Sequence, residues 1–254
     1  MFSSILTISR FSLIEAIRGK IIWIIAALMI MAMMLSLFVS QAALTETRES
    51  QVALMAGFLR ISSILVMIFF VVSSIARDFQ DKSIELLFAV SIPRYQVFIG
   101  KFFGFSLLSF LISGFYFFIF LFFSEAEAAF IWSVSFWFEL SLMALLSLIF
   151  ILSLENVALS LMISLGIYVL MRLMPAIQSM GEGPMQDGLF NQFINSMIDI
   201  IALFLPRLDL FSQSSWLIVN EISGIDIISF LIEFMLYVTF FILVGVFDLK
   251  RKSI

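Results

Sequence analysis

Six uninterrupted apolar runs dominate this 254-residue sequence. Each is long enough to cross the roughly 30 Å hydrocarbon core of a bilayer as a helix. They are Ile21 to Val39, Val52 to Ala76, Phe102 to Phe123, Phe130 to Leu154, Val157 to Met174 and Ile227 to Phe247. None shows the apolar/polar alternation of a barrel strand. The expected fold is therefore all-α, a polytopic membrane protein with six transmembrane helices in one domain over residues 1–254. Composition leaves no soluble alternative: 63% of residues are apolar and 13% charged, against roughly 45–50% and 25% in globular proteins. Lipid must be the solvent for much of this surface.

The charged minority sets the orientation. With the N-terminus in the cytoplasm, the inner segments hold Arg10, Arg18, Lys20, Arg77, Lys82, Arg94, Lys101, Lys250, Arg251 and Lys252. The outer segments hold Arg48, Arg172 and Arg207, and Arg60 lies within a span. This positive-inside bias predicts both termini in the cytoplasm. A seventh crossing would invert the C-terminal basic cluster. Residues 175–226 therefore read as an outer segment, in which Phe193 to Pro206, with one apolar face, is an interfacial or re-entrant helix. A Gly- and Pro-rich loop at 181–188 precedes it. Met1 to Lys20 reads as an amphipathic helix along the inner leaflet. Phe2, Ile5, Leu6, Leu13 and Ala16 share one side, and Ser3, Thr7, Arg10 and Arg18 the other.

Several chemistries are excluded. The chain has no Cys and no His, which removes disulfides, thiolate and imidazole catalysis and the usual zinc ligand sets. A net charge of −4, with Lys250 to Lys252 as its one basic run, gives no footprint for nucleic acid. Gly19-Lys20 and Gly100-Lys101 lack the flanking residues of a phosphate-cradling loop, so no nucleotide site is assigned. Gly100 and Gly104 read as part of a backbone turn rather than a dimer seam. Glu155-Asn156 reads as a tight inner turn, and Glu125 with Glu127 as a solvated acidic outer turn.

Arg60, Glu139 and Glu233 lie inside spans, where insertion scales charge about 2.5–3.5 kcal/mol for a basic or Asp side chain. All three fall within about 10–13 Å of the outer boundary at 1.5 Å per residue. Arg60 can pair with Glu139 or Glu233. The set reads either as a structural ion pair or as a polar feature of a substrate path.

Residues 77–94 form the one substantial cytoplasmic loop. Ser83 is a fitting N-cap, Leu86, Leu87 and Val90 share a face, and Pro93 stops the helix. The loop is either a solvated anchor or a docking element for a cytosolic partner. It contains Lys82-Ser83-Ile84-Glu85-Leu86-Leu87, then Ser91-Ile92-Pro93-Arg94, then Gly100-Lys101. This run resembles the signature of type-2 ATP-binding-cassette (ABC) exporter permeases: Gly-(Thr/Ser)-x-Glu-Leu-Leu, a Pro/Ser/Arg turn, and Gly-Lys opening the third span. Lys82 stands in place of the family's Gly, and Pro93 directly precedes Arg94.

The resemblance implies a specific division of labour. Residues 1–20 would be an elbow helix, and Asp81, Lys82, Ser83, Glu85, Leu86, Leu87, Pro93 and Arg94 a coupling helix and turn that insert into an ATPase groove. The outer segment would form short re-entrant helices. The chain would be the non-catalytic permease of a multi-pass complex in the plasma (bacterial inner) membrane. It would bind no cofactor itself, and ATP and Mg would sit on a cytosolic ABC ATPase dimer. A second permease copy or a sister permease would complete the path. The competing expectations are an ion- or proton-coupled carrier or channel using Arg60, Glu139 and Glu233, and a permease-like scaffold of a membrane assembly.

Overall fold

A computed structural model describes residues 2–42, 47–81, 93–181, 189–219 and 224–251. Among them, nine α-helices and a 3-10 turn follow one another: α1 (Phe2–Arg18), α2 (Ile21–Ala42), α3 (Thr47–Gln80), α4 (Arg94–Phe120), α5 (Ala126–Leu154), α6 (Val157–Gly181), α7 (Leu189–Phe204), the 3-10 turn (Leu208–Leu210), α8 (Ser214–Val219) and α9 (Gly224–Arg251). Helices α2 to α6 and α9 are the six that are long and apolar enough to cross a membrane. The chain is an all-helical, multi-pass membrane protein.

Helix α5 is the axis of the bundle. It packs against α3, α4, α6, α8 and α9, and 72% of its apolar window is buried, against 22% in α2 and in α9. A helix buried on all sides needs apolar residues all round, and Trp132, Phe136, Leu140, Met143 and Leu148 supply them. Serines allow close approach where helices meet. Ser106 and Ser141 hydroxyls meet at 3.1 Å, Trp137 Nε1 donates to the Ser106 carbonyl at 2.9 Å, and Ser113 donates to the Ser133 carbonyl. Rings extend the α4–α5–α9 contact, with Tyr116 stacked on Phe136 at 5.6 Å and Phe138 on Phe234 at 4.1 Å.

The peripheral helices turn large apolar side chains outward. Trp23, Met34 and Phe38 on α2, Met162 on α6, and Ile232, Leu243 and Phe247 on α9 are all exposed. In water such faces would drive aggregation; in a membrane they meet acyl chains. The Phe-rich α4 divides between the two environments. Phe102, Phe105 and Phe120 are buried, while Phe103, Phe110 and Phe118 face out.

Three boundaries differ from the sequence expectation. Helix α3 begins at Thr47, so residues 52–57 are helical and Arg60 lies well inside. Helix α4 starts at Arg94, directly after Pro93 and eight residues before the expected Phe102, so Lys101 lies inside the helix. Helix α6 runs through Pro175 to Gly181, so the outer segment starts later than 175. Transmembrane helices tolerate an internal proline when neighbouring groups restore the lost backbone bonding. The 181–188 loop lies outside the described residues apart from Gly181. Beyond it, the expected short helix appears as α7, packed on α6.

The α1 helix also docks differently from its helical wheel. Its buried positions are Ile8, Ser12 and Ala16, spaced by four, whereas Leu6 and Phe11 are 72% exposed. The small-residue face lies on α4. A Cβ added at Gly100 would come within 2.9 Å of the Ile8 side chain, and one at Gly104 within 2.7 Å of Ser12 Cβ and 2.9 Å of the Ser9 carbonyl. The glycine pair is thus a notch within a helix, correcting its expected role as a turn.

Candidate functional site

The chain gathers its polar side chains at two places, one at the end of the bundle that carries the 82–92 segment and one buried toward the opposite end. At the first, Glu15 is the hub. It is the only acidic residue among the first 45. Its Oε1 accepts from Ser74 Oγ at 2.8 Å and pairs with Arg77 at 3.1 Å, while Oε2 lies 3.7 Å from Lys101 Nζ. Lys101 in turn pairs with Asp78 at 2.6 Å. Its side chain is only 8% exposed, and breaking such a buried pair by removing one partner is strongly destabilising. Three helices are joined here: α1 through Glu15, the end of α3 through Ser74, Arg77 and Asp78, and the start of α4 through Lys101. Both helices that bound the 82–92 segment are therefore braced on α1.

Of the residues expected to contact an ATPase, Asp81 continues the last turn of α3, its N–H donating to the Arg77 carbonyl at 2.9 Å. Pro93 is exposed, and its carbonyl accepts from the Gln96 N–H at 2.8 Å. Arg94 is the first residue of α4. Lys82, Ser83, Glu85, Leu86 and Leu87, with the rest of the expected coupling helix, lie outside the described residues. The same end of the bundle holds the α5–α6 turn. There Glu155 takes a left-handed conformation, and Asn156 Oδ1 accepts from the Leu159 N–H at 3.1 Å. Ser153 bonds Asp248 of α9 at 2.6 Å beside it.

The second cluster contains Arg60 of α3 and Glu139 of α5. Arg60 Nη1 donates to the Phe211 carbonyl at 3.2 Å and to the Ser212 carbonyl. Ser212 has a left-handed backbone (φ 50), and its N–H donates to Ser135 Oγ at 3.0 Å. Arg60 thus holds the turn between the 3-10 element and α8. Glu139 is fully buried, and neither carboxylate oxygen has a hydrogen-bond partner among the described residues. Arg60 is its electrostatic partner without direct ion-pair contact, and the Ser212 side chain stands close by without hydrogen-bond geometry. Tyr168 of α6 shares this field, its hydroxyl also unpartnered. Arg172 repeats the Arg60 pattern, donating to the Leu208 carbonyl at 2.6 Å.

The structure brings Arg60 and Glu139 together but sends Glu233 elsewhere. Its electrostatic partner is Arg207, with the like-charged Asp209 also near. Sequence reasoning overlooked Glu15, Ser74, Asp78 and Lys101 as a unit. A lone acid in an otherwise basic α1, and a lysine placed before a Phe-rich helix, were the available signals. Among the described residues no group of three acidic side chains is arranged to hold a metal ion. Compared with protein-family models and with curated proteins, the sequence matches none.

Proposed function

We propose that this chain is the transmembrane subunit of an ATP-driven exporter of the type-2 ABC class, working with a separate cytosolic ATPase. The observation that carries the reading is the brace around the 82–92 segment. The Glu-Leu-Leu sequence Glu85 to Leu87 sits between two helices that Glu15, Asp78 and Lys101 tie to each other and to α1. A load delivered at the end of α3 and the start of α4 would be shared with α1, because the three are tied through Glu15, Asp78 and Lys101. Closure of the ATPase dimer around nucleotide would supply that load, and the spans would reorient around α5. The work is mechanical, so this chain contributes no catalytic residue, and ATP and Mg act on the partner.

The distribution of Lys and Arg supports both termini in the cytoplasm, with the brace at the inner surface of a bacterial plasma membrane. A second permease, identical or a sister, completes the path. In the reconstituted complex, Glu85→Arg is expected to abolish permease-dependent ATP hydrolysis while leaving membrane insertion intact. Unchanged hydrolysis would remove the coupling role from this segment.

One observation favours a second reading, an ion- or proton-coupled carrier: Glu139 is buried with both oxygens unsatisfied among the described residues, as a relay carboxylate would be. Glu139→Gln combined with Glu233→Gln separates the two. A carrier loses coupling to the gradient, whereas an exporter retains ATP-dependent flux.

A further inference from the structure

We propose that the groove between α2 and α4 is a binding site for one acyl chain of an anionic phospholipid, with its phosphate held by Arg18 and Lys20. The groove is an opening of about 200 Å³. Ile21, Ile25 and Met29 line one wall, and Leu108, Ile112 and Phe115 the other. That volume is below the roughly 300–1,000 Å³ of a pocket that encloses a whole small-molecule ligand; it suits a segment of chain. Along α2 it runs from residue 21 to 29, about 12 Å at the helical rise, so its long axis follows the helices as an acyl tail does. Its walls are almost wholly apolar, and Ile22, Leu111 and Phe115 on its rim are exposed on the outer face of the bundle. An acyl chain can therefore enter sideways from the bilayer.

The charge at the mouth selects the headgroup. Helix α2 carries no charged residue, and its first residue, Ile21, lines the groove. Immediately before it the chain turns a corner at Gly19 and Lys20, with Lys20 in a left-handed conformation (φ 64). Arg18 and Lys20 are both exposed. Among the described residues neither forms an ion pair, while the one acid of α1, Glu15, is engaged by Arg77 and Lys101. Two uncommitted cations at the end of an apolar groove complement a lipid whose phosphate is not balanced by a choline. The site is independent of whether the chain is an exporter.

The test titrates the full chain, purified in nonionic detergent, with phosphatidylglycerol and with phosphatidylcholine of the same acyl chains, reading retained lipid by native mass spectrometry. Phosphatidylglycerol is expected to bind more tightly by about fivefold for each cation engaged. Arg18→Gln with Lys20→Gln should bring it to the phosphatidylcholine level without altering the fold, since both side chains are exposed. Ala26→Trp, which fills the groove, should abolish retention of either lipid, whereas Ala27→Trp, on the exposed face of α2, should leave it as in the wild type. Glycerol phosphate should not bind, separating a lipid from a free anion. Equal retention of the two lipids, or wild-type retention by Ala26→Trp, overturns the proposal. So does a light-scattering mass showing a dimer whose groove takes no lipid, which would assign the groove to a second copy.

Discussion

Arg60 directs its guanidinium at the backbone carbonyls of Phe211 and Ser212 rather than at a carboxylate, and Glu139 lies within its field without touching it. This geometry makes the two residues unequal. Removing Arg60 releases the 211–212 turn and also takes from Glu139 its electrostatic counterpart; removing Glu139 leaves Arg60 still bonded. Arg60→Met is accordingly expected to destabilise the folded chain by about 1–3 kcal/mol, the cost of leaving buried acceptors unsatisfied. The Arg60→Met, Glu139→Met double variant should recover part of that loss. Denaturation of the purified variants in detergent measures the cycle, and a coupling above about 0.5 kcal/mol is the expected result. Strict additivity would mean that the field of Arg60 does not reach Glu139. That a charge lay here was legible from the sequence, because charges in apolar runs are conspicuous. Its partner was not, since the decisive contacts are backbone carbonyls 151 and 152 residues away. Glu233 was grouped with Arg60 on depth alone, and depth does not tell which helices are neighbours.

At the scale of elements, the six long helices were readable because hydrocarbon forces every backbone group to bond within its own segment. Their neighbours were not, and α1 shows why. The helical wheel placed its bulky apolar side on the inner leaflet and did not single out the Ile8, Ser12 and Ala16 face that packs on α4. Where the surroundings are themselves apolar, bulky residues such as Leu6 and Phe11 face outward, and close approach is reserved for small ones. Gly104 marks that approach: no side chain fits there without displacing the Ser9 backbone of α1. Gly114, ten residues further along α4, has open space around it, and so provides an internal control. Gly104→Leu is expected to lift α1 from the bundle, whereas Gly114→Leu should not. Trypsin cleavage at Arg10 and Arg18 in membranes would report this as faster release of the N-terminal peptide in the first variant only. Equal rates would show that the notch does not secure α1.

For the whole molecule, the two ends have different tasks. One end is locked: Arg60 and Arg172 fasten the 208–212 region to α3 and α6, and Leu208, Phe211 and Trp216 are buried beneath it. The other end is a brace, in which Glu15 and Lys101 gather α1, α3 and α4 around residues that belong to no span. Between them lies α5, so buried that a displacement of α3 or α4 must pass through it. The fold class was legible in the apolar runs. The brace was hidden because Glu15 and Lys101 are 86 residues apart and neither falls within a motif. On the proposed reading, the braced end receives force and a partner ATPase supplies it. The most direct measurement is therefore to purify the tagged chain from its native membranes and identify by mass what accompanies it. The account predicts a cytosolic subunit that carries a phosphate-cradling loop and hydrolyses ATP, and its loss from the Glu85→Arg variant. A stable complex without any nucleotide-binding subunit, in a preparation whose transport collapses with the proton gradient, would contradict it.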